Sequence, residues 1–208
     1  MIVAVTGNTG SGKSTVAALF EGWGGRRVDA DRIGKEVWRE DRALQEKIAG
    51  ALGPGVTTPG GAVDTKLLGK AVFGDPEKLR LFDAIVQPVL RARIAAELEK
   101  ARTEAGAVTV LDAALLFEWG LEGSVDYVVV VVAGEEERAR RISERHGLTR
   151  DEALRRVRSQ RSEAEKARRA EYVIENNRSL AELEERAGEV WRAMVRTFPK
   201  GEGPGGEE

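Results

Sequence analysis

The chain has 208 residues, with 33 Lys plus Arg against 35 Asp plus Glu and a formal net charge of −2. That length fits one domain with insertions, or one and a half, and the charge balance argues against a general nucleic-acid binder, which carries a basic excess. Cysteine is absent, which excludes a disulfide framework, a thiolate nucleophile and a Cys-based metal site.

The opening Ile2-Val3-Ala4-Val5-Thr6 is a short apolar run that leads into glycines, as expected of a buried parallel strand. It lacks the basic n-region and long apolar stretch of a signal peptide. No apolar run approaches the ~18 residues of a membrane span, so a cytoplasmic protein is expected. Helical spacing over residues 13–22 places Val16, Leu19 and Phe20 on one face. Residues 26–29 predict a second strand. Asp31 is expected to cap a helix running to Trp38. Residues 50–64 are rich in Gly, Pro and Thr and read as a loop. A short helix follows over 64–73. From Pro76 a long apolar stripe reaches Ile94, with a kink or break expected at Pro88.

Residues 107–111 predict a strand closing on Asp112. Residues 127–133 contain five consecutive valines, the pattern of a strand covered on both faces. Helices are expected over 135–145, ending at Gly147, and over 149–166 in one or two pieces. A last strand at 172–174 and a last helix at 180–198 precede a Gly- and Pro-rich tail, 199–208, expected to be disordered. Strands alternating with helices imply an α/β fold with a mainly parallel sheet.

Residues 7–14 read Gly-Asn-Thr-Gly-Ser-Gly-Lys-Ser and satisfy the phosphate-loop pattern without mismatch. Glycines let backbone N–H groups turn inward around a polyphosphate, and the following helix points its positive end at the same anion. The Lys13 ammonium can reach the β- and γ-phosphates, and the Ser14 hydroxyl can ligate Mg²⁺. With an apolar strand before the loop and a helix after it, the expected fold is that of the P-loop nucleoside-triphosphate hydrolases, with a five-stranded sheet. Asp112, at the end of its strand, is a second candidate for holding Mg²⁺, directly or through water. Ligands in such sheets sit beyond the carboxyl ends of the strands. That makes Asp31 a candidate to accept the proton of an attacking hydroxyl, with Asp29 as its competitor.

From Arg138 to Arg169 the chain carries a local net charge of +7, an asymmetry that calls for explanation. A mobile arginine-bearing lid can neutralise charge on a transferring phosphoryl group while excluding water. The same residues include no aromatic side chain, so a base-stacking platform is missing. Most of these arginines are expected to be solvated or ion-paired, and two or three to touch phosphate. His146, beside Gly147, reads as a helix-end or surface residue, and the four tryptophans as core or interface. On residues alone the chain reads as an ATP-dependent small-molecule kinase. The competing reading is a GTP-binding switch: Asp31-Arg-Ile-Gly34 fits its short D-x-x-G pattern, but no Asn-Lys-x-Asp guanine-reading motif occurs.

Several motifs in order resemble the dephospho-coenzyme A kinase family across nearly the whole chain. Val5-Thr6-Gly7 with Gly10-Ser11-Gly12-Lys13-Ser14-Thr15-Val16 resembles its phosphate loop. Asp29-Ala30-Asp31, Leu68-Gly69 with Val72-Phe73, and Leu115-Leu116-Phe117-Glu118 are similar to its further motifs. Arg141, Arg145, Arg156, Gln160, Glu165-Lys166 and Asn176 fit its lid and closing strand. The chain departs from the family's usual residues at Gln87 (His), Ala114 (Pro), Arg138 (Gln) and Glu171 (Asp).

The resemblance implies ATP-dependent phosphorylation of the ribose 3′-hydroxyl of dephospho-coenzyme A. It implies Asp31 as base, with Lys13 and Arg141 in the catalytic set. It places Gly10, Ser11, Gly12, Lys13, Ser14, Thr15, Arg145 and Asn176 around ATP, and Leu115 and Phe117 with Asp31 near the acceptor. It further implies a core formed by 1–56, 106–137 and 171–198, a substrate-binding insertion at 57–105 and a lid at 138–170. The expected partners are ATP, with Mg²⁺, and dephospho-CoA, without nucleic acid or membrane. The sequence fixes no oligomeric state.

Overall fold

In the computed structural model, residues 1–198 are described except 74, 105 and 161, with the side chains of Arg39 and Phe73 also left out. The expected tail, 199–208, lies outside the described residues. Two compact units are present, one formed by Met1–Ala30 with the chain from Glu97 onward, the other by Asp31–Ala96.

The first unit is built on five parallel strands, β1 (Ile2–Thr6), β2 (Gly25–Asp29), β3 (Val108–Asp112), β4 (Tyr127–Val132) and β5 (Tyr172–Glu175), in the order β2-β3-β1-β4-β5. The pairing is parallel throughout, with Val5 beside Asp112 and Asp29 beside Asp112 on the other side of β3. Every residue of β1 is buried, which explains its unbroken apolar run: both faces are covered by other elements. Alternation sends Val3 and Val5 to one face. There they join Val110, Val129, Val131 and Ile174 against Val16 and Phe20 of helix α1 (Lys13–Gly22) and Leu183, Ala187 and Met194 of the last helix, Leu180–Thr197. Phe20, Trp23 and Trp191 form a ring cluster at its margin, with Phe20 and Trp191 centroids 5.0 Å apart.

In the second unit, α2 (Ala30–Glu40) carries Asp31 inside its first turn, rather than as the cap the sequence implied. Helix α3 (Arg42–Leu52) stands where no helix was expected. It begins at Asp41, whose carboxylate accepts from the Leu44 N–H at 2.8 Å, an N-cap that satisfies one orphan donor. The loop then shortens to a single turn and a bridge between Thr57 and Val63. Asp64 caps α4 (Thr65–Phe73), accepting from Lys66 and Leu67.

Helix α5 (Pro76–Thr103) continues through Pro88, so the break that was one of the two expectations there does not occur. Proline removes one N–H from the ladder, but buried Val86, Leu90, Ile94 and Leu98 hold the apolar stripe across that point. Trp38 and Phe82 meet edge-on at 5.7 Å. Among the described residues, no helix is long and apolar enough to cross a membrane.

The basic segment folds as α6 (Glu135–His146), α7 (Arg150–Arg158) and α8 (Glu163–Ala167), with the last α-helix of the chain, Leu180–Thr197, being α9. Gly147 ends α6 in the left-handed region at φ 65°, where glycine carries no Cβ penalty. Thr149 and Glu152 form a reciprocal capping box at the start of α7. Ala139, Ile142, Ala153, Leu154 and Val157 give α6 and α7 a small core of their own.

Candidate active site

The loop from Gly7 to Gly12 joins the end of β1 to the start of α1. Gly12 sits at φ 98° as the N-cap, and no side chain caps the helix. The first N–H groups of α1 therefore remain available to an anionic ligand. Gly10, at φ 83°, lies against α6: a Cβ there would come within 2.8 Å of the Arg138 carbonyl. Ser14 and Thr15 are exposed on the first turn of α1, while Ser11 is buried, its hydroxyl unpartnered among the described residues. An uncapped helix start, left-handed glycines and an orphaned hydroxyl suit a polyphosphate. The exposed Ser14 hydroxyl suits Mg²⁺ bound with it.

Lys13 is the first residue of α1 and is buried. Its Nζ donates to Asp112, which is 2% exposed at the end of β3. The other Asp112 oxygen accepts from Arg27 of β2. Both oxygens are thus engaged, each by one cationic donor. Among the described residues, no group of three or more His, Asp or Glu is placed to hold a metal. Burial pulls the Arg27 guanidinium down, but the hydrogen bond and charge of Asp112 outweigh it and hold the group above its ordinary value. Sequence reading passed over Arg27 as one more strand residue. The available signal was a charged residue two positions before Asp29 in the same strand, where alternation puts both on one face.

Removing the donor would leave a buried carboxylate short of a partner, at a cost of about 1.5–3 kcal/mol for a charged hydrogen bond. Arg27→Met is therefore expected to lower the unfolding free energy by that amount, seen as a lower denaturation midpoint at unchanged m-value, with Arg27→Lys losing less. Loss of under about 0.5 kcal/mol in urea unfolding would show that Lys13 alone suffices for Asp112.

Arg141 bonds the back of the loop. Its guanidinium donates to the carbonyls of Gly10 (3.1 Å), Ser11 (3.4 Å) and Asn176 (3.0 Å), and to Glu137 at 2.8 Å. Asn176, buried just after β5, donates to the Ser11 carbonyl at 2.8 Å. The structure thus brings Gly10, Ser11, Gly12, Lys13, Asp112, Arg141 and Asn176 together. Arg145 stands apart, exposed on the last turn of α6 beside the equally exposed His146.

Leu115 is exposed, whereas Phe117 is buried, with the Arg169 guanidinium 4.4 Å above its ring. Lys166, also buried, donates to the Ala114 carbonyl at 3.3 Å and pairs with Glu118 at 2.9 Å. Glu171, at its departure from the family pattern, accepts from the Val128 N–H at 2.7 Å and anchors the start of β4. Asp31 is exposed in the first turn of α2, two residues beyond Asp29. Among the described residues of the basic segment, Arg138 pairs with Glu163, Arg140 with Glu137 and Glu144, Arg141 with Glu137, Arg150 with Glu136, Arg158 with Glu135 and Arg169 with Glu122.

A parallel sheet whose first strand feeds a glycine loop, with a buried lysine opening the next helix, defines a P-loop nucleotide-binding protein. The family model for dephospho-CoA kinase matches residues 1–182. The chain is 40% identical over 192 residues to a dephospho-CoA kinase of Symbiobacterium thermophilum, covering 92% of this chain and 80% of that one. A crystal structure from Thermus thermophilus superposes with a TM-score of 0.78 at 36% identity, covering 96% of this chain and 98% of that one. The dephospho-CoA kinase from Campylobacter jejuni gives 0.72 at 25% identity, over 94% and 97%. The chain belongs to the dephospho-CoA kinase family.

Proposed function

We propose that this enzyme transfers the γ-phosphoryl group of ATP to the ribose 3′-hydroxyl of dephospho-CoA, giving CoA and ADP, the final step of CoA synthesis. The observation that carries the reading is the shaped nucleotide loop with Lys13 at its end, in a chain whose family match runs continuously from residue 1 to 182.

In this reading, N–H groups of the loop and of the first turn of α1 hold the β- and γ-phosphates. Lys13 leaves Asp112 to follow the charge that builds between them. Mg²⁺, held by Ser14 and through water by Asp112, would offset phosphate charge. The acceptor oxygen forms the new bond to phosphorus, the bond to the ADP oxygen breaks, and the hydroxyl proton passes to Asp31. Gly10, Ser11, Gly12 and Thr15 line the phosphate end. Arg141, Arg145 and Asn176 serve ATP from the lid side, and Leu115 and Phe117 serve the acceptor. Residues 57–105 would bind the acceptor, and 138–170 would close over the nucleotide to keep water out. The reading places the enzyme in the cytoplasm, where ATP and a soluble acceptor are both supplied.

The test is a coupled ADP-release assay with dephospho-CoA, adenosine, AMP and pantothenate as acceptors. Dephospho-CoA is expected to exceed the others by at least about 10²-fold in kcat/KM, since a site built around a full acceptor rejects truncated ones. ADP release indifferent to dephospho-CoA would defeat the acceptor assignment and leave only a P-loop kinase.

A further inference from the structure

We propose that Arg138 is a positioning residue that sets the orientation of the nucleotide loop's peptide groups from outside the loop. The proposal deepens the kinase reading and rests on it.

Arg138 is 5% exposed, an uncommon place for a guanidinium unless it is paired. Its three nitrogens reach three different elements. Nε donates to the Thr9 carbonyl at 3.1 Å, one terminal nitrogen donates to Gln160 Oε1 at 2.6 Å, and the other faces Glu163 at 3.4 Å. Gln160 closes the arrangement on the same loop residue. Its Oε1 accepts from the Thr9 N–H at 3.1 Å, and its Nε2 meets the Thr9 hydroxyl at 2.9 Å. Glu163 is tied in turn to the end of β4 by the Ala133 N–H at 3.3 Å. The tip of the loop is thus held by Arg138 of α6 and by Gln160 just past α7, with Glu163 of α8 behind Arg138.

The peptide bond is planar and trans, so the C=O of one residue and the N–H of the next point in opposite directions. Arg138 holds the Thr9 carbonyl outward, which turns the Gly10 N–H the other way, into the loop. Arg141 and Asn176 do the same to the Ser11 carbonyl, which turns the Gly12 N–H inward. Donors fixed in place before the ligand arrives cost no reorganisation when it binds. The glycine at position 10 permits this arrangement, because a side chain there would strike the backbone of Arg138 itself. The ion pair is desolvated: burial pulls the Arg138 guanidinium down against the opposing charges of Glu163 and Glu135, and pushes Glu163 up against Arg138. Such a pair is weak evidence for stability, which leaves geometry as the stronger account of its presence.

The experiment is ATP affinity measured by titration calorimetry on the intact protein in the presence of EDTA, with amide exchange followed in parallel and the acceptor's KM, measured separately by turnover with Mg²⁺, as control. Arg138→Met is expected to weaken ATP at least tenfold while the acceptor's KM stays within about twofold. Exchange should quicken over residues 9–12 and remain unchanged in β1 and β4. Arg138→Lys keeps the charge beside Glu163 but cannot span both Thr9 and Gln160, so its affinity should fall between. If Arg138→Met does not fold, Gln160→Ala removes the second tether to Thr9 and should weaken ATP about threefold with the same exchange pattern. ATP affinity within twofold of the parent in Arg138→Met, or unchanged in Gln160→Ala where the first variant fails to fold, overturns the proposal. So does exchange that rises throughout the sheet. A parent protein that bound no ATP at all would instead defeat the kinase reading itself.

Discussion

Lys13→Met is expected to lower phosphoryl transfer on the order of 10³-fold while leaving the protein folded. The side chain opens α1 and is buried, with its ammonium on Asp112. In the proposed reaction that ammonium faces the transferring phosphoryl group, and negative charge on the oxygens it faces grows toward the transition state. An interaction that strengthens along the reaction coordinate lowers kcat more than ground-state affinity when it is removed. ATP binding should therefore weaken about tenfold or less. Folding survives because Asp112 keeps Arg27, so the carboxylate does not become an isolated buried charge, the case that costs most. The predicted stability loss is about 1–3 kcal/mol. Lys13→Arg should rescue little, since a planar fork does not replace a compact ammonium in a buried position. Steady-state rates with circular dichroism of each variant check this. Transfer within tenfold of the parent would remove Lys13 from the catalytic set.

The elements that read correctly from sequence are those whose local pattern is unambiguous. β1 and β4 are continuous apolar runs because a central parallel strand has two covered faces, and the phosphate loop is a motif in the right context. The misses arise where a signal is non-local or outweighed. Asp112 draws Lys13 from 99 residues away and Arg27 from 85. That triad exists only because the strand order puts β3 between β2 and β1, which no periodicity reveals. α3 was hidden by the glycines and proline at its end, although Asp41 and Leu44 already spelled its cap.

The basic segment misled by where its counting began. Glu135, Glu136 and Glu137 lie just before residue 138, and they take Arg158, Arg150, and Arg140 with Arg141. Much of the apparent excess charge is therefore spent on joining α6 to α7 and on local pairs along α6. Exposed ion pairs of this kind contribute little each. Among the described residues of this segment, Arg138 and Arg141 are the arginines whose guanidinium groups reach loop carbonyls.

Asp31→Asn is the sharpest test of the chemistry. Asparagine keeps the size of the side chain and one acceptor oxygen but cannot take a proton. Turnover should fall about 10²–10⁴-fold, the usual contribution of a positioned general base, with ATP affinity within about twofold. Asp31 is exposed in the first turn of α2, so stability should move by no more than about 0.5 kcal/mol. A loss of rate therefore cannot be a loss of fold. Asp29 supplies the control. It ends β2, is a third exposed, and lies 3.9 Å from Arg27, so its carboxylate has structural work in the same cluster as Asp112. Asp29→Asn should accordingly lower stability more than Asp31→Asn and turnover less. Rates measured with saturating ATP and acceptor, beside urea unfolding of both variants, separate the two roles. Near-parental turnover in Asp31→Asn together with a large drop in Asp29→Asn would move the base to Asp29, at the end of the strand that meets Asp112.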